Sequence, residues 1–219
     1  MKSSYSLILQ PEQSFSEPAA IVTKVIRQRR STYADAYRKQ ALDPRLLEEI
    51  LTNATWAPTH KMTEPWRFVV LSAAQQSAYG RYMADYYKDH YPDLSPADRR
   101  RKFEYLKNYP LNAAAIIALI FQPSTRITLP EWEEIAAISC AVQNMALTCT
   151  AMELGSYWAS GAAAIQFVRQ FTQSDHEQSF GLFFIGYPGG DQSNIKKRRS
   201  PITEKVSGLP ASQTTINPS

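Results

Sequence analysis

A chain of 219 residues, 44% of them hydrophobic, has the length and apolar content of one soluble domain of generous size with a substantial buried core. No apolar run approaches the roughly 20 residues needed to span a bilayer, and the longest, LNAAAIIALIF, reads as a buried strand, which argues against a membrane protein. The formal charge of +4 arises mainly from three clusters, RQRR at 27–30, RRRK at 99–102 and KKRR at 196–199, and two readings of these stay open: solvated helix faces, or sites for phosphate groups or nucleic acid.

The first stretch, MKSSYSLILQPEQSFSEP, carries a basic residue and a few apolar ones but no extended apolar region or small-residue cleavage site, so retention in the cytoplasm is expected. PAAIVTKVIRQRR then opens with a proline suited to a first helical turn and sets Ile21, Val25 and Ile26 on one face. This predicts a helix with a basic C-terminal end and Ser31 just beyond it. DPRLLEEILTNATWA repeats the logic, with Asp43 as N-cap, Pro44 at the first helical position, a buried stripe of Leu46, Leu47, Ile50 and Leu51, and a stop at Pro58. The loop APTHKMTEPWRF, residues 57–68, is proline-flanked and polar and runs into a strand, RFVVLS.

Two polar, tyrosine-rich helices follow, AAQQSAYGRYMADYYKDHY and SPADRRRKFEYLKNY, separated by PDLSP, and their composition suggests a cover, not a core. AAAIIALIF is a continuous apolar run of buried-strand type. PEWEEIAAISCAVQNMALTCTAMELG is a long helix, apolar on most sides, with Gly155 expected just past its end as the left-handed residue. SYWASG makes a short strand or turn, AAAIQFVRQF a helix and FGLFFIGYPGG a last core strand. No internal repeat or interdomain linker is visible, so one domain covers 1–219, with about 1–17 and 207–219 peripheral.

Cys140 and Cys149 fall on the long helix, about 13 Å apart along its axis and on opposite faces, which rules out a disulfide between them. Unpaired cysteines without a C-x-x-C pattern suit a reducing compartment, and His60, His90 and His176 lack metal-ligand spacing, so no metal site is expected. The chain contains no G-x-G-x-x-G, Walker A, G-x-S-x-G or H-E-x-x-H pattern. Any nucleotide-like ligand must be held by scattered residues: RRS after the first helix, PTH in the proline-flanked loop, SYWASG after the long helix and KKRRSP after the last strand.

Those pieces together, in order and spacing from about residue 21 to 206, resemble the FMN-dependent nitroreductase family. The matching segments are RRST; APTHKMTEPWRF, where the family has Ala-Pro-Ser, a variable stretch and Gln-Pro-Trp-x-Phe; AVQNMALTCTAMELGSYWASG for its central helix; and IGYP with KKRRSP at the end. The wording HKMTEPWRF resembles one subgroup of that family. The resemblance implies an α+β fold with a mostly antiparallel central sheet flanked by helices, and a long central helix at the interface of a homodimer. It also implies FMN as cofactor, NADH or NADPH as electron donor, and a small-molecule acceptor such as a nitroaromatic or quinone.

Carried over residue by residue, the resemblance gives Arg29, Arg30 and Ser31 the FMN phosphate and ribityl oxygens, with Lys197 and Arg199 closing over the phosphate. Pro58, Thr59 and His60 would reach the flavin bound mainly by the other subunit, so that each active site is shared. Trp158, Ser160 and Gly161 match the turn at the flavin's reactive edge. Trp66 and Phe68 read as core anchors. Two positions depart from the pattern: Tyr33 and Met62 stand where relatives often carry a cation and an asparagine that touch the ring, and Lys61 or Arg67 are the candidates to replace that cation. The tyrosines of residues 74–109 are expected either to roof the pocket and set substrate choice or simply to seal helix against helix. No side chain is assigned as acid or base, since the flavin supplies the chemistry. The alternatives are a flavoprotein of the same fold with another redox reaction (enone reduction, dehalogenation or oxidation) and a basic nucleic-acid-binding protein. The second lacks the aromatic interleaving that a stacking platform needs, so no nucleic acid is expected as partner.

Overall fold

A computed structural model describes residues 16–190 and 199–208. Its centre is β3 (Ala115–Phe121), in which all seven residues are buried. Both faces of this strand are covered, which explains why its sequence shows no polar alternation. Ile117, Leu119 and Phe121 enter one core and Ile116, Ala118 and Ile120 the other.

On one side β3 pairs antiparallel with β2 (Trp66–Val70) and on the other with β5 (Gln178–Pro188). The edge of β5 away from β3 carries β4 (Gly155–Ala159) and then the two-residue β1 (Tyr37–Arg38), again antiparallel. The expected α+β class, with helices flanking an antiparallel sheet, is what the structure has. Cores form on both faces: α2 (Pro44–Thr55) and α5 (Glu131–Ala151) cover one, α3 (Ala73–Tyr87) and α6 (Ala162–Val168) the other. None of the described helices is long and apolar enough to cross a membrane.

Local chemistry accounts for most boundaries. Asp43 caps α2 by accepting the Arg45 amide at 2.9 Å, and Ser72 with Gln75 forms a reciprocal capping box on α3. Four readings of the sequence are corrected. First, α2 stops at Thr55, three residues before Pro58. Second, α3 is a core helix that buries Tyr79, Gly80, Met83 and Ala84; only α4 (Pro96–Asn108), with no buried residue, is a cover. Tyrosine hid this role, because a ring can be buried while its composition still looks polar. Third, α1 (Glu17–Gln28) is the helix expected there, but its apolar face is not a core face: none of its residues is buried, and Ile21 and Ile26, with neighbouring Val22, are more than half exposed.

Fourth, the left-handed residue that closes α5 is Glu153, not Gly155. The Leu154 amide donates to the Cys149 carbonyl at 2.8 Å and the Glu153 amide to the Thr150 carbonyl at 3.2 Å, the paired bonds of a Schellman turn. Gly155 answers a different need. A Cβ there would lie 2.8 Å from the Tyr37 ring, too close for any side chain.

Candidate functional site

Downstream of α1 the chain is extended and docks onto the start of β4. Ser31 forms a parallel bridge with Ser156, and the Thr32 amide donates to the Ser156 carbonyl at 3.0 Å. The Tyr37 hydroxyl then donates to the Thr32 carbonyl at 2.6 Å. Two glycines make this possible, since Gly155 and Gly186 face each other across β4 and β5 and leave the space that the Tyr37 ring fills. Burial raises the Tyr37 phenol well above its ordinary range, so it remains a neutral donor. Arg29 and Arg30 are thereby held, half-buried, at one end of β4 beside the exposed Ser31.

The other end of β4 turns into α6 through Ser160 and Gly161, both exposed. From Ser156 to Ser160 the strand covers about 13 Å at ~3.3 Å per residue. A Cβ placed on Gly161 would meet only the Tyr87 hydroxyl, at 3.9 Å, so this position faces open space. Trp158 is fixed more firmly: its Nε1 donates to the Phe180 carbonyl at 2.6 Å and its ring stacks on Phe180. Tyr33, 57% exposed, rests its ring on Tyr157 with centroids 5.0 Å apart.

The loop before β2 is elsewhere. In the strand order β2, β3, β5, β4, it lies on the far side of the sheet from the residues just described. The Thr59 hydroxyl accepts the Glu64 amide at 3.1 Å, and His60 Nδ1 donates to Glu133 Oε2 at 2.6 Å, tying the loop to the first turn of α5. Lys61, Met62 and Glu64 all take left-handed backbone conformations, strain that the flanking contacts hold in place. Met62 is 73% exposed. Within one chain, then, Arg29, Arg30, Ser31, Tyr33, Trp158, Ser160 and Gly161 gather along β4, while Pro58, Thr59, His60 and Met62 stand apart. Arg199 opens the second described segment and is exposed; Lys197 lies outside the described residues.

A sequence profile of the nitroreductase family matches residues 26–187. The chain belongs to that family. It is 25% identical over 193 residues, 87% of its length, to a Bacillus subtilis (strain 168) protein named "Putative NAD(P)H nitroreductase YfhC", of which it covers 95%. A nitroreductase-like family protein from Bacillus cereus superposes with a TM-score of 0.68 at 24% identity, over 91% of this chain and 99% of its own. The FMN-dependent nitroreductase NfnB from Mycobacterium smegmatis, solved in complex with NADPH, superposes with a TM-score of 0.69 at 15% identity, over 89% and 100%. At these identities the structural likeness is one of fold.

Against the family pattern, Trp66 and Phe68 are core residues as expected, packed with α2 and α5. Arg67 is removed as a candidate cation for the ring, because its guanidinium is committed to Glu177 and the Phe171 carbonyl. Burial pushes the Cys149 thiol up to about 12, which leaves it neutral and unreactive. No group of three potential metal ligands exists among the described residues. Sequence reasoning missed Tyr37, Ser156, Gly186 and Glu133. Glycines inside strands are a signal of close backbone approach, and those at 155 and 186 could have been read so; nothing marked Glu133.

Proposed function

We propose that the chain is a homodimeric FMN-dependent oxidoreductase that passes reducing equivalents from NADH or NADPH to nitroaromatic, quinone or similar electrophilic acceptors. The observation that carries this reading is the single edge of β4, with two guanidinium groups and a serine hydroxyl at one end and an open glycine turn at the other. An extended ligand with a phosphate at one end and a flat ring at the other fits that edge. Bound FMN supplies the two-electron chemistry.

The protein's residues then bind, orient and exclude water. Arg29 and Arg30 grip the phosphate as charge-assisted donors, with Lys197 and Arg199 closing over it. Ser31 hydrogen-bonds the ribityl chain, and Ser160 and Gly161 offer backbone at the ring. Tyr33 supplies a phenol in place of a cation, so this site stabilises negative charge on the ring less strongly. Buried phenols at Tyr37, Tyr79 and Tyr157, all raised chiefly by desolvation, do not serve as acids or bases.

A second copy completes the site. Pro58, Thr59, His60 and Met62 lie across the sheet from β4, and the exposed apolar stripe of α1, with Trp132 at 69% exposure on α5, supports an interface that would bring the partner subunit's loop over the ring. The HKMTEPWRF loop supports placement in one subgroup of the family, and the names of YfhC and NfnB support the donor and the cofactor. The test is visible absorbance of the purified protein and its bleaching by NADH or NADPH under anaerobic conditions. A colourless protein that FMN cannot reconstitute overturns the reading.

A further inference from the structure

Between α3 and α4 lies a cavity of about 220 Å³ that no part of the cofactor site uses. Its floor is apolar and aromatic, built from Tyr87, Tyr91, Phe103 and Leu106. Its rim is cationic, with Lys88, Arg99, Arg100 and Lys102, and no carboxylate lines it. The acids of α4 are engaged away from it: Asp98 with Ser95 and Arg101, Glu104 with Lys107.

The cations are differently constrained. Arg99 donates to the Pro92 and Leu94 carbonyls, fixing the α3–α4 connection. Lys102 Nζ sits 5.2 Å from the Tyr91 ring centroid and 5.1 Å from that of Tyr105, held between the two faces. Lys88 and Arg100 have no side-chain partner among the described residues. With Arg99 engaged by those carbonyls, Lys88, Arg100 and Lys102 leave three like charges along one small apolar space, and an anion placed among them relieves their repulsion while gaining charge-assisted hydrogen bonds. The floor demands that the anion carry a flat apolar body, and the volume limits that body to about one ring.

We propose that this cavity binds a single-ring aromatic carboxylate, its ring among Tyr87, Tyr91 and Phe103 and its carboxylate on Arg100 and Lys102. Tyr87 connects the cavity to the proposed flavin edge, since its ring lines the one and its hydroxyl faces the open position at Gly161. Resting on the function proposed above, an aromatic acid seated in this cavity would therefore lie beside the flavin edge as an acceptor.

Calorimetric titration of the full-length protein with benzoate and with neutral benzamide separates the two claims. Benzoate should bind at least about 10-fold more tightly than benzamide. Arg100→Ala and Lys102→Ala should each weaken benzoate by about 5- to 10-fold, with Arg100→Lys recovering much of the loss. Arg101→Ala, whose partner Asp98 lies outside the cavity, should leave it within about twofold. In flavin-loaded enzyme, 4-nitrobenzoate should exceed 4-nitrobenzamide in kcat/KM, and Arg100→Ala should level the two. Absent benzoate binding, equal binding of benzamide, or unchanged affinity in both alanine variants overturns the site, as does single-stranded oligonucleotide binding that the same variants abolish. Equal kcat/KM for the two nitro compounds overturns the link to the acceptor. Benzoate binding with the expected variant effects in a protein that takes up no FMN would uphold the site and remove only the flavin reading.

Discussion

The ring of Tyr37 occupies the space that a side chain on Gly186 would need: a Cβ there would fall 2.3 Å from Cδ2 and 2.5 Å from Cγ of the ring. Because the same ring's hydroxyl holds the Thr32 carbonyl, this contact sets where Arg29, Arg30 and Ser31 stand. Gly186→Ala should therefore act twice. Overpacking should cost about 1–3 kcal/mol, seen in denaturant melts, and FMN affinity should fall. Gly190→Ala is the comparison, since nothing lies within 4 Å of a Cβ there; its effect should stay within about 0.5 kcal/mol. Equal melts for both variants would refute the role given to Tyr37.

Arg67 and Glu177 meet in a two-pronged ion pair, Nε to Oε1 at 2.8 Å and Nη2 to Oε2 at 2.6 Å, and the Gln173 amide and Gln122 side chain also donate to the carboxylate. The Arg67 guanidinium, ahead of the Gln173 amide, holds the Glu177 carboxyl below its ordinary range. A carboxylate lowered by the fold contributes stability above the ordinary glutamate range and loses it as pH falls through that range and below. Thermal stability should accordingly drop on acidification, and Glu177→Gln should flatten the drop. Arg67→Ala, which strands a carboxylate whose side chain is 1% exposed, should cost about 3–5 kcal/mol at neutral pH.

Helix and strand identities were readable because each rests on local signals, such as Pro44 behind Asp43 and the all-apolar run at β3; the Ser72 cap, read as the end of a strand, emerged only in the structure. The closure of α5 was misread because glycine is the usual left-handed residue, and here Gly155 is spent on the Tyr37 ring while Glu153 takes the turn. Arg67 looked available to a ligand because its partner is 110 residues away, a distance over which charge pairing leaves no periodic trace. The proposed site residues stood out in the sequence only as a set of short motifs, and their division into two groups, expected through the family resemblance, follows the strand order β2, β3, β5, β4, which no single motif encodes.

If Arg29 and Arg199 both hold the FMN phosphate, Arg29→Ala combined with Arg199→Ala should release the cofactor. Each charge-assisted contact is worth about 1.5–3 kcal/mol. The ratio of flavin to protein absorbance after gel filtration measures the loss, and wild-type retention in the double variant would exclude these residues as the anchor.

The exposed stripe of α1 offers a test of the proposed dimer. Ile21→Glu with Ile26→Glu changes residues that are more than half exposed and belong to neither core, so the fold should survive while the proposed dimer does not. Light scattering should show a monomer, and flavin should be lost with it, because the partner's loop is absent from the ring. A flavin-loaded monomer would contradict the shared site.

The tyrosines of α3, α4 and the turn after them divide by contact, which makes the roof idea testable one residue at a time. Tyr109 accepts the amide of the fully buried Ala34 at 3.1 Å and packs near Phe184, so it is structural. Tyr109→Leu orphans that amide and should lower stability by about 1–3 kcal/mol, leaving the order of preferred acceptors unchanged in protein of equal flavin content. Tyr87 differs, because its hydroxyl points at the open Gly161 position while its ring stands edge-on to Tyr86 and His90. Tyr87→Leu should reorder turnover across a panel of nitroaromatics and quinones while shifting the melt little. A wild-type order in Tyr87→Leu, with only the melting temperature moved, would make these rings packing throughout and remove α3 from the choice of substrate.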